Sequence, residues 1–342
     1  MPTYRSHLNG SGSVARLEQK LREHYGMRHA LSVSSATTGL LAIALALKLR
    51  NTEFVAPPYT YGASLAGWLL LGNRPIFADI DSQTVALDPE SARRLITART
   101  RAMLAVDMFG IPSDTVALRR LADEYGIWYI ADAAQSFGAQ RGGLPASALA
   151  DALVVSFTCG KTLSTGEGGA VLTNHSGLYE KLVWWTQHPQ RQHRDLVLDN
   201  EFGLNGRIHP FSADRAVSLF EGSLAQLRVR QAECFRIIEA LNEIGLTEPV
   251  RFARDKIEPS FFQLTAAWRK EVQEDRLLTE LSDRGFTAGI LPAPARLIYR
   301  QPAFLAQYGR RMNAVAKCSR AERQARRRFS LAPFYFGQVE HN

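Results

Sequence analysis

A chain of 342 residues with 46% hydrophobic and 22% charged side chains has the size of two ordinary domains, or of one large α/β domain with a smaller companion. Disorder, collagen and disulfide-stapled miniproteins are excluded by that balance. The formal charge of +8 is scattered, apart from Arg320, Arg323, Arg326, Arg327 and Arg328. Those five read as a solvated helix face, so no nucleic-acid partner is expected. Cys159, Cys234 and Cys318 are far apart and lack CxxC spacing, which argues against a disulfide framework or a zinc site and for a reducing compartment. The most apolar run, residues 40–47, is too short to span a bilayer, and the first residues lack the apolar stretch of a signal peptide. A soluble cytoplasmic protein is expected.

In chain order, residues 14–25 predict a first helix, with Ser13 as its cap and Leu17, Leu21 and Tyr25 on one stripe. HALSVSS reads as a strand and ATTGLLAIALALKL as a helix starting near Thr37. That strand, small-residue turn and helix is the geometry that offers backbone N–H groups to a phosphate. The alternation continues with strands at EFVAPP, RPIFADI, RAMLAVDMFG and IWYIADAA, and helices over residues 64–71, 89–96 and 114–125. Short apolar strands alternating with helices predict an α/β fold with a parallel sheet covered on both faces. DALVVSF and GGAVLTN are separated only by the Gly-rich GKTLSTGE, too short for a crossover helix, so they predict a hairpin and one antiparallel strand. QHPQRQHRD, residues 187–195, reads as a mobile loop whose His188 and His193 face solvent or substrate rather than a metal. The texture changes near Ser212, where a long helical stretch over residues 213–241 opens; the domain boundary is placed there, dividing 1–211 from 212–342.

Three residues stand out chemically. Lys161 lies between an apolar strand and a Gly-rich loop in a chain with seven lysines against thirty-four arginines; alone, it reads equally well as a surface lysine in a glycine turn. Asp132 ends an apolar strand, and Thr37 opens a helix. A Schiff-base amine needs partial desolvation and a rigid loop. A pyridine ring that accepts electrons needs a carboxylate at its nitrogen, and a phosphate needs hydroxyls and backbone donors at a helix start. Lys161, Asp132, and Thr37 with Ser156 supply one candidate each, all at predicted strand ends.

In this register the sequence resembles the DegT/DnrJ/EryC1/StrS sugar aminotransferases, fold type I enzymes that use pyridoxal 5'-phosphate. SSATTG, PPYTYGAS, FADIDSQTVALDPE, MFGIPSD, IADAAQSFGA and SFTCGKTLSTGEGG occur in the family's order between about residues 17 and 207. The resemblance implies that Lys161 holds the cofactor as an internal aldimine and shuttles the proton. It implies that Asp132 pairs with the pyridine nitrogen, that Gln135 lies near the ring oxygen, and that Tyr61 stacks on the ring. Ala36, Thr37 and Ser156 then contact the phosphate. GLNGR implies that Asn205 and Arg207 reach the neighbour's phosphate across a homodimer interface.

The pattern breaks at substrate-facing positions. The first helix arrives by about residue 14, so part of the family's pocket wall is expected to be missing, and the final helix after FSLAPFY is expected to be absent. Tyr299 in LIYRQPAF and Asp107 in MFGIPSD stand where the family commonly has histidine. Arg191, Arg194 and Arg296 are candidates for a nucleotide sugar's pyrophosphate, with surface roles as the alternative. The resemblance therefore implies an aminotransferase that moves an amino group, with glutamate as the expected donor, to a keto group of a sugar, cyclitol or specialised metabolite. Another pyridoxal-phosphate reaction (elimination, decarboxylation or carbon–carbon bond formation) or a non-catalytic regulatory relative are the alternatives.

Overall fold

The computed structural model describes residues 8–197, 200–252, 256–292, 296–309 and 318–332. In chain order its elements are α1 (Ser13–Tyr25), β1 (His29–Val33), α2 (Ala36–Ala46), β2 (Glu53–Ala56), β3 (Tyr59–Thr60), α3 (Ala63–Leu70), β4 (Arg74–Phe77), α4 (Pro89–Arg93) and β5 (Thr100–Val106). There follow α5 (Thr115–Tyr125), β6 (Trp128–Asp132), β7 (Gln140–Arg141), β8 (Leu144–Pro145), β9 (Ala152–Ser156), β10 (Gly169–Thr173), α6 (Ser176–Thr186) and α7 (Pro189–Asp195). The second half holds α8 (Pro210–Ile244), β11 (Ile257–Glu258), β12 (Thr265–Ala267), α9 (Glu274–Asp283), β13 (Gly289–Pro292), β14 (Arg296–Leu297), α10 (Pro302–Tyr308), α11 (Ser319–Arg327) and β15 (Arg328–Ala332).

Seven strands form the main sheet in the order β1-β10-β9-β6-β5-β2-β4. β9, β6, β5, β2 and β4 run parallel, whereas β10 is antiparallel to both β9 and β1. The expected α/β sheet with one antiparallel member is therefore present, closed by the Gly-rich hairpin. The strands read as continuous apolar runs because both faces are covered: Ala102 and Leu104 of β5 join one buried cluster, while Met103 and Ala105 join the other. β9 divides the same way, with Ala152 and Val154 on one face and Leu153 and Val155 on the opposite one. Such alternation is what a sheet flanked by helices on both sides imposes.

The helix expected over residues 89–96 is shorter, ending at Arg93. The two-residue strands β3 and β14, which pair with each other, lie below the length at which periodicity is readable. Residues 187–195 are a correction. They form α7, opened by Pro189 and by His188, whose Nδ1 accepts the Gln190 N–H at 3.2 Å. Arg191 is 1% exposed. Its guanidinium donates to both oxygens of Glu18 at 3.0 and 2.8 Å and to Asp195 at 3.3 Å. Glu18 also accepts the Ser32 N–H of β1 at 2.8 Å. Within this string Gln187, Arg191 and Gln192 are buried and tie α7 to α1 and β1, whereas Gln190, His193 and Arg194 are exposed; Arg191 is therefore not at hand for a pyrophosphate.

The arginine cluster is solvated in part, as expected, with the side chains of Arg323 and Arg326 57% and 71% exposed, and paired in part. Asp79 caps the start of α11 by accepting the N–H groups of Arg320 and Ala321, and the Arg320 side chain pairs with Asp79 and Asp88. Arg323 pairs with Glu248, and Arg328 reaches Thr265, Gln324 and the Ser82 carbonyl. Asp79 and Asp88 on one side and Glu248 on another thus anchor the helix while its outer arginines stay exposed. α8 begins at Pro210, beside the expected boundary. Its first turns (Ala213, Ala216, Phe220) join the cluster containing α1, and its last (Cys234, Ile237, Leu241) join the one containing Phe261, Trp268 and Leu277. Among the described residues no helix is long and apolar enough to cross a membrane. Residues 333–335 of FSLAPFY lie outside the described residues.

Candidate active site

The C-terminal ends of β5, β6 and β9 face one edge of the sheet, where open α/β folds place ligands. Asp132 closes β6 and is 7% exposed. Its carboxylate accepts the Ala134 N–H at 3.0 Å and the Ser64 hydroxyl, and Ser64 is itself 3.2 Å from Thr60 Oγ1. Burial pushes the Asp132 carboxyl above its ordinary value, against the pull of Ser64, the Ala134 N–H and the Lys161 charge. Ionising it fully therefore calls for a cationic partner.

Lys161 sits at the tip of the β9–β10 hairpin. Cross-loop bonds from Phe157 N–H to the Gly168 carbonyl (2.9 Å), Thr165 N–H to Phe157 (2.8 Å) and Cys159 N–H to Gly166 (2.9 Å) stiffen it, and the Lys161 N–H closes a turn on Thr158 at 3.1 Å. Burial lowers the proton affinity of the amine and Asp132 partly restores it. The amine lies 4.2 Å from the centre of the Phe262 ring. A desolvated amine thus lies within electrostatic reach of a buried carboxylate.

The turn into α2 completes this edge. Ser35 caps the helix by accepting the Thr38 N–H at 3.1 Å, while Ala36 is buried and the Thr37 side chain exposed. β10 passes so close that a Cβ on Gly169 would lie 2.7 Å from the Ala36 nitrogen, so only glycine lets the strand run beside the helix start. Ser156 ends β9, 6% exposed, its hydroxyl 3.1 Å from Thr158 Oγ1.

Gln135 accepts the Phe109 N–H through Oε1 at 2.7 Å, and its carbonyl accepts the Ser260 hydroxyl at 2.6 Å. Tyr61 is 69% exposed just ahead of α3. Asn205 is exposed and Arg207 half-buried. Their backbone lies along the end of β1, where Arg207 bridges Val33 and the Gly206 carbonyl accepts the Ser34 N–H at 2.7 Å. The segment thus borders the same helix start as Ala36 and Thr37.

Four participants escape a reading of the sequence. Ser64 and Thr60 support Asp132; Arg230 of α8 donates to Thr162, next to Lys161, at 3.1 Å; Phe262 covers the amine. Ser64 follows Tyr61 in a string already singled out, a usable signal. Arg230 and Phe262 come from distant segments that only folding brings here. Tyr299 packs its ring 5.6 Å from Phe77, and its hydroxyl donates to Glu322 at 3.3 Å. Asp107 is buried at 1% exposure and accepts from the Ser113 N–H and the hydroxyls of Ser136 and Ser147 at 2.7–2.9 Å.

Residues 6–335 match the DegT/DnrJ/EryC1/StrS aminotransferase family. The chain belongs to that family. Among curated DegT/DnrJ/EryC1/StrS relatives, the UDP-2-acetamido-2-deoxy-3-oxo-D-glucuronate aminotransferase of Pseudomonas aeruginosa is 32% identical over 69% of this chain and 66% of its own length, just under two thirds. The L-glutamine:2-deoxy-scyllo-inosose aminotransferase of Streptomyces fradiae is 26% identical over 95% of this chain and 75% of its own. The solved structure of S. venezuelae DesV superposes with a TM-score of 0.76 at 28% identity, covering 94% of this chain and 84% of that one. The architecture is that of the fold type I aminotransferases.

Proposed function

We propose that this DegT/DnrJ/EryC1/StrS family member is an aminotransferase that uses pyridoxal 5'-phosphate to move an amino group from an amino-acid donor such as glutamate to a keto group of a sugar or cyclitol. The observation that carries the reading is the Asp132–Lys161 pair, a buried carboxylate and a desolvated amine within each other's electrostatic reach at the ligand edge of the sheet. The printed activities of the P. aeruginosa and S. fradiae relatives, on a keto sugar nucleotide and a keto cyclitol, support the substrate class.

The residues fit the cofactor. Asp132, costly to ionise alone, gains a cation if it faces a protonated pyridine nitrogen. The Gly169 cradle leaves the start of α2 clear of side chain, so the backbone of Ala36 and the hydroxyls of Thr37 and Ser156 would hold the phosphate. Tyr61 would stack on the ring, and Gln135, oriented by its bond to Phe109, would lie against it. When bound, the cofactor supplies an electron sink for the substrate carbon that loses a proton. Lys161 would hold the cofactor through its amine and would carry the substrate proton at Nζ. The hairpin bonds fix the backbone from which that side chain extends.

We further propose a cytoplasmic homodimer in which Asn205 and Arg207 serve the partner's phosphate, and a second structural unit over residues 212–342 joined to the first through α8. The test is spectroscopic. Protein incubated with pyridoxal 5'-phosphate should gain a visible band that L-glutamate converts to the amine form with release of 2-oxoglutarate. A protein that takes up cofactor but yields no 2-oxo acid with any amino donor would overturn the aminotransferase reading.

A further inference from the structure

A short segment of the second half of the chain is fastened onto the site. The Ser260 N–H donates to the Gly110 carbonyl at 2.9 Å, the Ser260 hydroxyl donates to the Gln135 carbonyl at 2.6 Å, and the Gln263 N–H donates to the Phe109 carbonyl at 3.3 Å. Ser260 and Gln263 are both buried. The approach is so close that a Cβ on Gly110, at φ +82°, would lie 2.1 Å from Ser260 Oγ and 2.9 Å from the Phe262 nitrogen. Between these anchors Phe261 adopts a left-handed φ of 46°, a conformation that costs a non-glycine residue free energy and persists where the surroundings enforce it. Its ring is buried beside those of Phe235 and Phe252. The chain is thereby held with the half-buried Phe262 ring 4.2 Å from Lys161 Nζ.

The charged groups that face Lys161 or bond to its hairpin come from three elements. Asp132 ends β6 and raises its proton affinity against the burial that lowers it. Glu167 lies across the hairpin, accepting from Thr158, and Arg230 reaches the hairpin from α8 through Thr162. On the function proposed above, Asp132 is committed to the cofactor's ring nitrogen. An unbonded Lys161 would then share its anionic partner while remaining poorly hydrated, and the π face of Phe262, 4.2 Å away, is a group able to favour its ammonium form.

We propose that Phe262 is a positioning residue for the reacting amine, its ring being the platform on which the Lys161 ammonium rests whenever that amine is not bonded to the cofactor. The inference rests on the aminotransferase reading for its consequence and on the ring–amine contact for its geometry. It predicts a division of labour: the hairpin from the first half of the chain supplies the amine, and the strap from the second half sets where it waits and how tightly it holds its proton.

The test is competitive acetylation of the cofactor-free protein with trace acetic anhydride across a pH series, reading the Lys161 peptide by mass spectrometry. Phe262→Leu keeps the site apolar but removes the π face, so the labelling midpoint of Lys161 should fall by roughly 0.4–1.5 pH units, the equivalent of a typical cation–π contact. Phe262→Trp should restore it. In holoenzyme, Phe262→Leu should lower kcat with donor KM unchanged, and Phe262→Trp should recover kcat. Circular dichroism verifies folding, and Phe262→Met replaces the leucine variant should that one not fold. An unchanged midpoint in Phe262→Leu, or equal midpoints for the leucine and tryptophan variants, would overturn the proposal. A shifted midpoint in a protein whose Lys161 never takes up pyridoxal 5'-phosphate would instead leave the contact standing and remove the aminotransferase reading.

Discussion

Burial decides the chemistry of the two residues at the centre of the site, in opposite directions. It lowers the proton affinity of Lys161 and raises that of Asp132, so the amine becomes a nucleophile at a pH where a surface lysine stays charged. Capture of pyridoxal 5'-phosphate by Lys161 should therefore rise with pH and level off below the range of an ordinary lysine, as stopped-flow absorbance would show. Because the Asp132 charge raises the amine's affinity, Asp132→Asn should move that midpoint to lower pH, yet slow turnover about a hundredfold or more if this carboxylate faces the ring nitrogen as proposed. Linkage adds a stability effect. A folded-state carboxyl held above its unfolded value contributes stability below the unfolded value and loses it as pH rises through the folded one. Urea midpoints of the cofactor-free protein should therefore fall as pH rises above the ordinary carboxyl range, and Asp132→Asn should flatten part of that slope. Asp107, also pushed up by burial, should add to the same slope. The placement of Lys161, Asp132 and Ser156 at strand ends and a hairpin was legible because each sits where an apolar run meets a turn. Phe262 was not, since an aromatic residue in PSFFQL carries no mark distinguishing an active-site wall from core.

At the level of elements, the largest departure from the sequence reading is α7. A run of Gln, His and Arg looks solvated because local composition cannot show that Glu18, on the first helix, will meet Arg191 in the interior. Pairing makes the burial tolerable, so removing one partner should be expensive. Arg191→Ala leaves Glu18 and the Ser32 N–H in a site no longer neutral and should cost about 3–5 kcal/mol in chemical denaturation, whereas the volume-matched double replacement Glu18→Gln, Arg191→Met should recover much of it. Equal losses in the two variants would assign the stability to packing alone. The strands were readable because period and turn signals agreed along each. The pairing of β3 with β14 was not, because it joins segments of two residues from opposite ends of the chain.

Across the whole molecule, the second half of the chain completes the first. α8 joins both buried clusters, α11 is capped by Asp79, and the 260–263 strap reaches the Lys161 amine. Completion across a dimer is separable by subunit mixing. If Arg207 serves the partner's site, Lys161→Ala and Arg207→Ala homodimers, each inactive alone, should regain about a quarter of wild-type activity when dissociated and reassociated together, since one site of each mixed dimer is intact. Service within one chain predicts no recovery. The account as a whole turns on which amine holds the cofactor. Borohydride reduction of the protein saturated with pyridoxal 5'-phosphate, followed by peptide mass spectrometry, should place the reduced pyridoxyl group on Lys161 and lose it in Lys161→Ala. A label on another lysine, or none on the wild-type chain, would contradict it.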